Sequence, residues 1–494
     1  MSSKFILNGI STIILVLATA LSSLILTRVL GPVLWGQFSQ ITWLVSLLSL
    51  VFSFGLTYTA NRYLAYYSNS ETDAHRSILI LYLLIIQIII AIVMCSLIIL
   101  SSDLILELLG WQLSETYIKI ASLNIFSLTF LNILIAMVLG LQELTKYLVV
   151  AISTGLSAIL AALLTAYLHR IEIYFYIISI TQLLVGFTLI GKLLIEEMGK
   201  IPKPRFILNY PWREILKYTF IVYLALVFDQ IVWQRSEMYF LGKLLDSSYS
   251  GFYSLGYTIT LYVIGTVPIA ITGLLTPIFT STSTSSKKKL LVVFSEINAY
   301  LIILITPLSL GLFVVAPNLI NLLFGEAFAP TIAVIRILTV STSLGVFTKP
   351  VASLMHAMNY PQILLASSII VAPINLILGF ILVPKYQANG AAYANLISQF
   401  LAGLTMILFS IRKIHIEYEL VTIWKSLFSG LTCSLVAWSV SGLFGNTIVG
   451  LLFSIISGGI TYTCILFLLR EKHTIAFVSK TKSLSKELLH TVSI

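Results

Sequence analysis

The sequence predicts an all-α, polytopic membrane protein of about fourteen transmembrane helices, and three observations carry that prediction. Of 494 residues, 58% are hydrophobic and 10% charged, where a soluble globular chain carries about 25% charged residues. Apolar stretches of eighteen or more residues recur from one end to the other, each long enough to cross a hydrocarbon core of about 30 Å. The basic residues alternate between the connections in phase with those stretches. Runs such as Leu79–Leu100 show no period of two, which sets aside a β-barrel. This composition also excludes intrinsic disorder, a disulfide scaffold and a nucleic-acid module.

The apolar runs fall near residues 5–29, 38–59, 78–100, 119–142, 147–168, 173–195, 218–242, 251–275, 291–315, 332–354, 362–384, 389–411, 423–444 and 447–469. Lys4 and Ala18-Thr19-Ala20 imitate a signal peptide, but the apolar run continues to Leu30, which reads as an uncleaved first helix. An even count puts both termini on one side. If that side is cytoplasmic, about 22 of the 29 basic residues lie inside and about six outside, which is the bias of an inner-membrane protein with cytoplasmic termini. The net charge of +10 follows from that bias and calls for no nucleic acid. Lys287-Lys288-Lys289 reads the same way, beside anionic membrane lipid. Cys95, Cys433 and Cys464 all sit in apolar runs and read as small hydrophobes.

An internal repeat is visible. Leu30-Gly31 with Gly36 reappears as Leu241-Gly242 with Gly251, and the turn at Leu141–Lys146 as the turn at Ala357–Gln362. The expected organisation is a six-helix lobe over 1–195, a cytoplasmic linker over 196–217, a second six-helix lobe over 218–411, and two further helices with a tail over 412–494. Each lobe holds an even number of spans, so the repeat is parallel, an arrangement found in transporters. Residues 1–201 contain only Pro32, whereas Pro268, Pro307 and Pro373 fall inside spans of the second half. Each removes a backbone hydrogen bond and invites a kink.

Ionised side chains at membrane depth are costly and face cavities. On an ideal helix Asp229, Gln230, Trp233 and Glu237 share an arc of about 100°, with Arg235 roughly 140–160° away from the two acids. That arc reads either as the wall of a polar cavity or as a hydrogen-bonded pair between helices. Arg28, Arg62, Arg336 and Lys349 sit at span ends, as snorkelling anchors or as the lining of a path. Asp103, Glu107 and Glu115 read as a solvated loop. The six histidines show no ligand spacing, and no catalytic or metal motif is present, so no catalytic residue, metal or cofactor is expected.

Several stretches carry a family pattern. They are Arg28-Val29-Leu30-Gly31-Pro32 with Gly36, and Arg235-Ser236-Glu237 followed by Leu241-Gly242-Lys243 and Gly251-Phe252-Tyr253. Leu323–Phe328 precedes Arg336-Ile337-Leu338, and Val383-Pro384-Lys385-Tyr386 precedes Gly390-Ala391-Ala392. Over about residues 5–411 the chain resembles the polysaccharide-type (Wzx-like) flippases of the multidrug/oligosaccharidyl-lipid/polysaccharide exporter superfamily. It departs at Gln387, where the family usually has glycine, and at Glu237, where many members have aspartate.

The resemblance implies a transporter, not an enzyme, that moves polyprenyl-diphosphate-linked oligosaccharide by alternating access. A polysaccharide polymerase and glycosyltransferases are then its candidate partners. A diphosphate needs cations away from bulk water, which suits Arg28, Arg62, Arg235, Arg336 and Lys349. A sugar suits Gln230 and Trp233, leaving Asp229 and Glu237 for coupling or gating. Two rivals stand beside it: a cation-coupled multidrug exporter of the same superfamily, and a membrane-embedded glycosyltransferase, acyltransferase or polymerase.

Overall fold

A computed structural model describes residues 2–68, 73–198, 211–233, 235–266, 279, 287–358, 360–416 and 418–476, and among these there is no β-strand. The helices are α1 (Ser2–Phe52), α2 (Leu56–Ser68), α3 (Asp73–Leu100), α4 (Ser102–Leu109), α5 (Glu115–Gly140), α6 (Leu144–Leu168), α7 (Ile171–Met198), α8 (Trp212–Trp233), α9 (Glu237–Leu244) and α10 (Ser247–Thr260), which runs into a π-turn at Leu261–Gly265. They continue with α11 (Lys287–Leu323), α12 (Thr331–Ala357), α13 (Pro361–Phe409), α14 (Leu420–Phe444) and α15 (Ile448–Leu468).

Ten of the described helices are long and apolar enough to cross a membrane. Two of them, α1 and α13, have 51 and 49 residues, length enough for two passes each at 1.5 Å per residue. Each is interrupted where two expected spans meet, at Gly31 (φ 72°) in α1 and at Gln387 (φ 55°, ψ −132°) in α13. The expected spans at 218–242 and 251–275 begin as α8–α9 and α10. Pro268 lies outside the described residues. The backbone stays helical through Pro307 and Pro373, as membrane helices tolerate a missing bond where neighbours re-satisfy the carbonyl.

Gln387 occupies a backbone conformation that L-residues rarely adopt, which gives a physical reason for the glycine usual there in the family. Gln387→Gly should therefore stabilise the protein by about 1–2 kcal/mol. A thermal unfolding midpoint of the detergent-solubilised chain should rise by a few degrees; an unchanged or lowered midpoint would contradict the strain.

The chain divides into two compact units, Met1–Ser254 with Gly379–Gln387, and Leu255–Leu378 with Ala388–Ile494. In the first, Leu64 of α2, Leu79 and Leu83 of α3, Leu134 and Met137 of α5 and Leu193 of α7 form one buried cluster. Lipid tails are as apolar as leucine, so close packing and interhelical hydrogen bonds hold such a bundle rather than water exclusion. The bonds are there: Ser22 Oγ donates to the Ala158 carbonyl at 3.1 Å, joining α1 to α6, and Asn124 Nδ2 donates to Ser179 Oγ at 3.0 Å, joining α5 to α7.

The second unit repeats that bond. Ser341 Oγ donates to Asn395 Oδ1 at 2.7 Å between α12 and α13. Ser341 and Asn395 lie 217 and 216 residues beyond Asn124 and Ser179, close to the offset of the sequence repeat. The two added helices, α14 and α15, pack on α11 in this unit, with Tyr462 Oη donating to the Ile303 carbonyl at 2.8 Å. At one end, Glu419 accepts from Lys472 Nζ (2.9 Å) and Thr422 Oγ1 (3.1 Å) and pairs with His473 Nε2 (2.8 Å). Burial pushes the Glu419 carboxyl up, but the bonds from Lys472 and His473 outweigh it and hold the group below the usual carboxylate range.

The repeat-related glycines of the first unit meet each other. A Cβ on Gly36 would lie 1.7 Å from the Ser247 carbonyl oxygen, and one on Gly251 would lie 2.3 Å from that of Pro32. α1 and α10 therefore cross backbone to backbone. Gln40 fastens the crossing by donating from Nε2 to Ser250 Oγ at 2.9 Å.

Candidate functional site

The first unit holds an open cavity of about 400 Å³. Ser46, Ser49 and Ser53 of the α1 end, Thr57, Tyr58 and Asn61 of α2, and Asn132 of α5 supply its polar wall, and leucines of α1, α5 and α8 complete it. Among the described residues, none that lines it is charged. Ser46 Oγ and Ser53 Oγ donate to the carbonyls of Thr42 and Leu50 at 2.6 and 2.7 Å, so each bonds its own helix. Ser49 differs: its hydroxyl is buried and has no partner among the described residues. The carboxamides of Asn61 and Asn132 likewise have no partner among the described residues.

A break in the helix creates this wall. α1 stops at Phe52, and Phe54 (φ 44°) and Gly55 (φ 75°) turn the chain before α2 starts. At Gly55 a Cβ would lie 2.8 Å from the Thr219 carbonyl oxygen and meet left-handed strain besides, so only glycine fits. Breaking a helix in lipid orphans carbonyls, and Gln87 of α3 answers one by donating from Nε2 to the Phe52 carbonyl at 3.1 Å. Thr59 Oγ1 and Thr219 Oγ1, 2.7 Å apart, fasten α2 to α8 beside the turn.

Arg62 follows Asn61 by one residue. Its guanidinium lies 4.2 Å from the Tyr218 ring centroid and 5.7 Å from that of Tyr63. The rings hold the cation in place, and its hydrogen-bond donors have no carboxylate partner among the described residues.

The other predicted residues are placed separately. Arg28 is exposed on α1, and Gln230 is half-buried on α8. The side chains of Asp229 and Trp233 lie outside the described residues. The helix carrying the expected arc is interrupted: α8 ends at Trp233, Arg235 is left-handed (φ 53°), and α9 starts at Glu237. The arc computed for a continuous helix therefore does not extend to Glu237. Glu237 is buried and accepts from Tyr253 Oη at 3.0 Å, and Arg235 Nη1 donates to Ser254 Oγ at 3.4 Å. Arg336 and the exposed Lys349 belong to α12 in the second unit.

Charge drew attention to Arg62 in the sequence, but the cavity residues carry none and were missed. A signal was present: Ser39, Thr42, Ser46, Ser49, Ser53, Thr57 and Asn61 recur every three or four residues, a spacing that marks a polar stripe on a helix, here carried on α1 up to the break and on α2 after it.

Comparison with known proteins agrees with this architecture. The sequence model of the family described as "Polysaccharide biosynthesis protein" matches residues 25–333. No curated protein matches in sequence. Among solved structures, the lipid II flippase MurJ in an inward closed conformation is similar over 94% of this chain and 98% of its own, with TM-score 0.72 and 18% identity. An inward-facing multidrug resistance MATE family transporter of the MOP superfamily is similar over 81% of this chain and 94% of its own, with TM-score 0.66 and 14% identity. A MOP superfamily transporter from Pyrococcus furiosus, whose binding pocket is described as of reverse polarity, gives TM-score 0.58 at 15% identity, over 83% of this chain and 95% of its own. At these identities the likeness speaks for the fold alone. With more than half of its length matched by the family model, the chain belongs to the polysaccharide biosynthesis protein family and is a multi-pass membrane protein with the all-α fold of these transporters.

Proposed function

We propose that the protein is a flippase that carries polyprenyl-diphosphate-linked oligosaccharide across the cytoplasmic membrane by alternating access, with both termini in the cytoplasm. The observation that carries this reading is the hydroxyl- and carboxamide-lined cavity of the first unit. A sugar offers hydroxyls that both give and take hydrogen bonds, and Asn61 and Asn132 line the cavity with carboxamides that have no partner among the described residues. A ligand that pairs with such groups gains about 0.5–1.5 kcal/mol per hydrogen bond, so a polar ligand is favoured over an apolar one. Arg62, one residue along, supplies a positioned cation for the diphosphate. Asp229 and Glu237 are proposed for coupling or gating.

A cation-coupled multidrug exporter would use a carboxylate in the wall of its cavity, whereas the wall formed by the described residues is of hydroxyl and carboxamide groups. The family also favours the saccharide reading.

Arg62→Ala should lower glycan export about tenfold or more at matched protein abundance. Arg62→Lys should restore part of it, since charge remains but the planar, ring-stacked geometry is lost. Export by cells carrying each variant measures this, and full export by Arg62→Ala would overturn the role of Arg62.

A further inference from the structure

The connection between α3 and α5 carries α4, which ends in Leu109-Gly110-Trp111. Gly110 is left-handed (φ 64°), and its N–H donates to the Leu106 carbonyl at 2.8 Å, a turn that commonly stops a helix. Trp111, next in the chain, is buried. Its ring centroid lies 5.9 Å from that of Trp43 of α1, and its Nε1 donates to the Tyr239 carbonyl of α9 at 3.3 Å. Gly242 of α9 makes the seat: a Cβ there would lie 2.6 Å from Trp111 Nε1 and 2.8 Å from Gln40 Nε2. Beside the seat, Lys243 Nζ donates to the Leu108 carbonyl at 3.4 Å.

This seat lies just past one end of the first unit's cavity. Trp43 and Leu50 are seven residues apart on α1 and share a face within about 20°, and Leu50 lines the cavity. Ser46, the cavity-lining residue of α1 nearest to Trp43, stands one turn from it, a rise of about 4.5 Å. The paired indoles, both buried, therefore stand over the cavity's face of α1, one turn beyond its wall. In the proposed topology this end is the one opposite the termini, since the α3–α5 connection follows the third pass. The connection is joined to α9 there by two long bonds, each from one side chain to one carbonyl. Water can take over both when the elements part.

We propose that Trp111 is the outer gating residue of this cavity: seated at Gly242 against Trp43 it shuts the cavity from the side opposite the termini, and its withdrawal opens it. A gate needs a definite closed state and an open state within a few kcal/mol of it. The indole seat supplies the first, because glycine at position 242 leaves room for one ring and no side chain of its own. The two replaceable bonds supply the second. Trp111 acts by occupying the way out and not by holding the cargo. The proposal rests on the alternating-access reading, which requires an outer gate, but it does not rest on what is carried.

The test is labelling of the full chain in intact cells by a membrane-impermeant maleimide. Cys464, exposed on α15, is first replaced by alanine. The probe is Ser49→Cys in the cavity wall, a rise of about 9 Å inward from Trp43. With Trp111 present it should label slowly, and with Trp111→Ala at least tenfold faster at matched abundance. Asn446→Cys, in the connection between α14 and α15 on the same side, should label equally in both. A second variant locks the gate instead of opening it. A Cβ on Gly110 would lie 3.2 Å from Lys243 Cγ, so Gly110→Cys with Lys243→Cys brings two Cβ atoms within reach of a disulfide. Glycan export by this double variant should fall at least tenfold when the disulfide forms and return when it is reduced. Equal labelling of Ser49→Cys with and without Trp111, or undiminished export with the disulfide formed, would overturn the gate. Labelling does not depend on the cargo, so it stands even if the saccharide reading fails, and an ungated cavity leaves the saccharide reading to its own test.

Discussion

Gly36→Val should abolish the folded protein. A Cβ at this position would stand 1.7 Å from the Ser247 carbonyl oxygen and 3.1 Å from the Gly251 nitrogen. Both are backbone atoms and cannot swing aside. Over-packing a yielding core costs about 1–3 kcal/mol, and two crossing backbones yield less than side chains do. The expected cost is thus more than about 3 kcal/mol, a large fraction of the whole stability of a typical domain. Gly251→Val should behave alike, because a Cβ there meets the Pro32 carbonyl oxygen at 2.3 Å. Gly459→Ala is the control, with nothing within 4 Å of its Cβ position. Monodispersity by fluorescence-detected size exclusion should be lost in the two valine variants and kept in the control. A monodisperse Gly36→Val would refute the crossing.

The two glycines show how far the sequence carried. Their pattern was legible, since Leu-Gly followed a few residues later by Gly recurs in both halves. Their cause was not, because a contact between residues 215 positions apart leaves no local mark. The spans were legible for a simple reason: crossing lipid demands long apolar helices, and hydropathy reads that demand directly. The break at Phe54–Gly55 was hidden inside an apolar run that looks continuous from 38 to 59. One glycine in a helical pattern is commonly tolerated, and it takes Thr219 and Tyr223 from a distant helix to make Gly55 obligatory. The interruption after Trp233 was hidden in the same way, so the arc drawn through Glu237 assumed a helix that the chain does not form.

Closing the cavity should abolish transport while leaving the fold intact. Ser49→Phe puts a ring in place of a hydroxyl at the cavity wall, and Asn132→Leu replaces a carboxamide without a partner among the described residues by a side chain of similar size. Because neither group has a partner among the described residues, removing it orphans none; Asn132→Leu should keep the abundance of the unmodified chain, and Ser49→Phe, at a buried position where over-packing has a cost, is compared at matched abundance. Export should fall at least a hundredfold in Ser49→Phe, where the space itself is lost. In Asn132→Leu it should fall about tenfold, in line with the loss of one or two hydrogen bonds of about 0.5–1.5 kcal/mol each. The order of the two effects matters: a headgroup site requires the bulky variant to be the more severe. If both variants export normally at normal abundance, the cavity is a packing defect and holds no substrate.

Serine and threonine escaped notice in the sequence because their hydroxyls commonly bond the preceding turn of their own helix, as Ser46 and Ser53 do. Charged residues are rarer in membranes and stand out, yet Arg235 and Glu237 each bond a side chain of α10. The residues proposed for the saccharide are uncharged ones without partners among the described residues, and a missing partner is visible only in three dimensions.

The central claim is that the protein flips a lipid carrying a saccharide, and reconstitution tests it most directly. The purified full chain is placed in liposomes with polyprenyl-diphosphate-linked oligosaccharide extracted from the producing cells. Translocation is followed by protection of the saccharide from an added glycosidase. The saccharide reading predicts translocation well above protein-free liposomes, lost with Ser49→Phe and unaffected by cationic drugs. Background translocation of the saccharide lipid, together with gradient-driven uptake of a cationic drug by the same liposomes, would contradict it and identify a multidrug exporter instead.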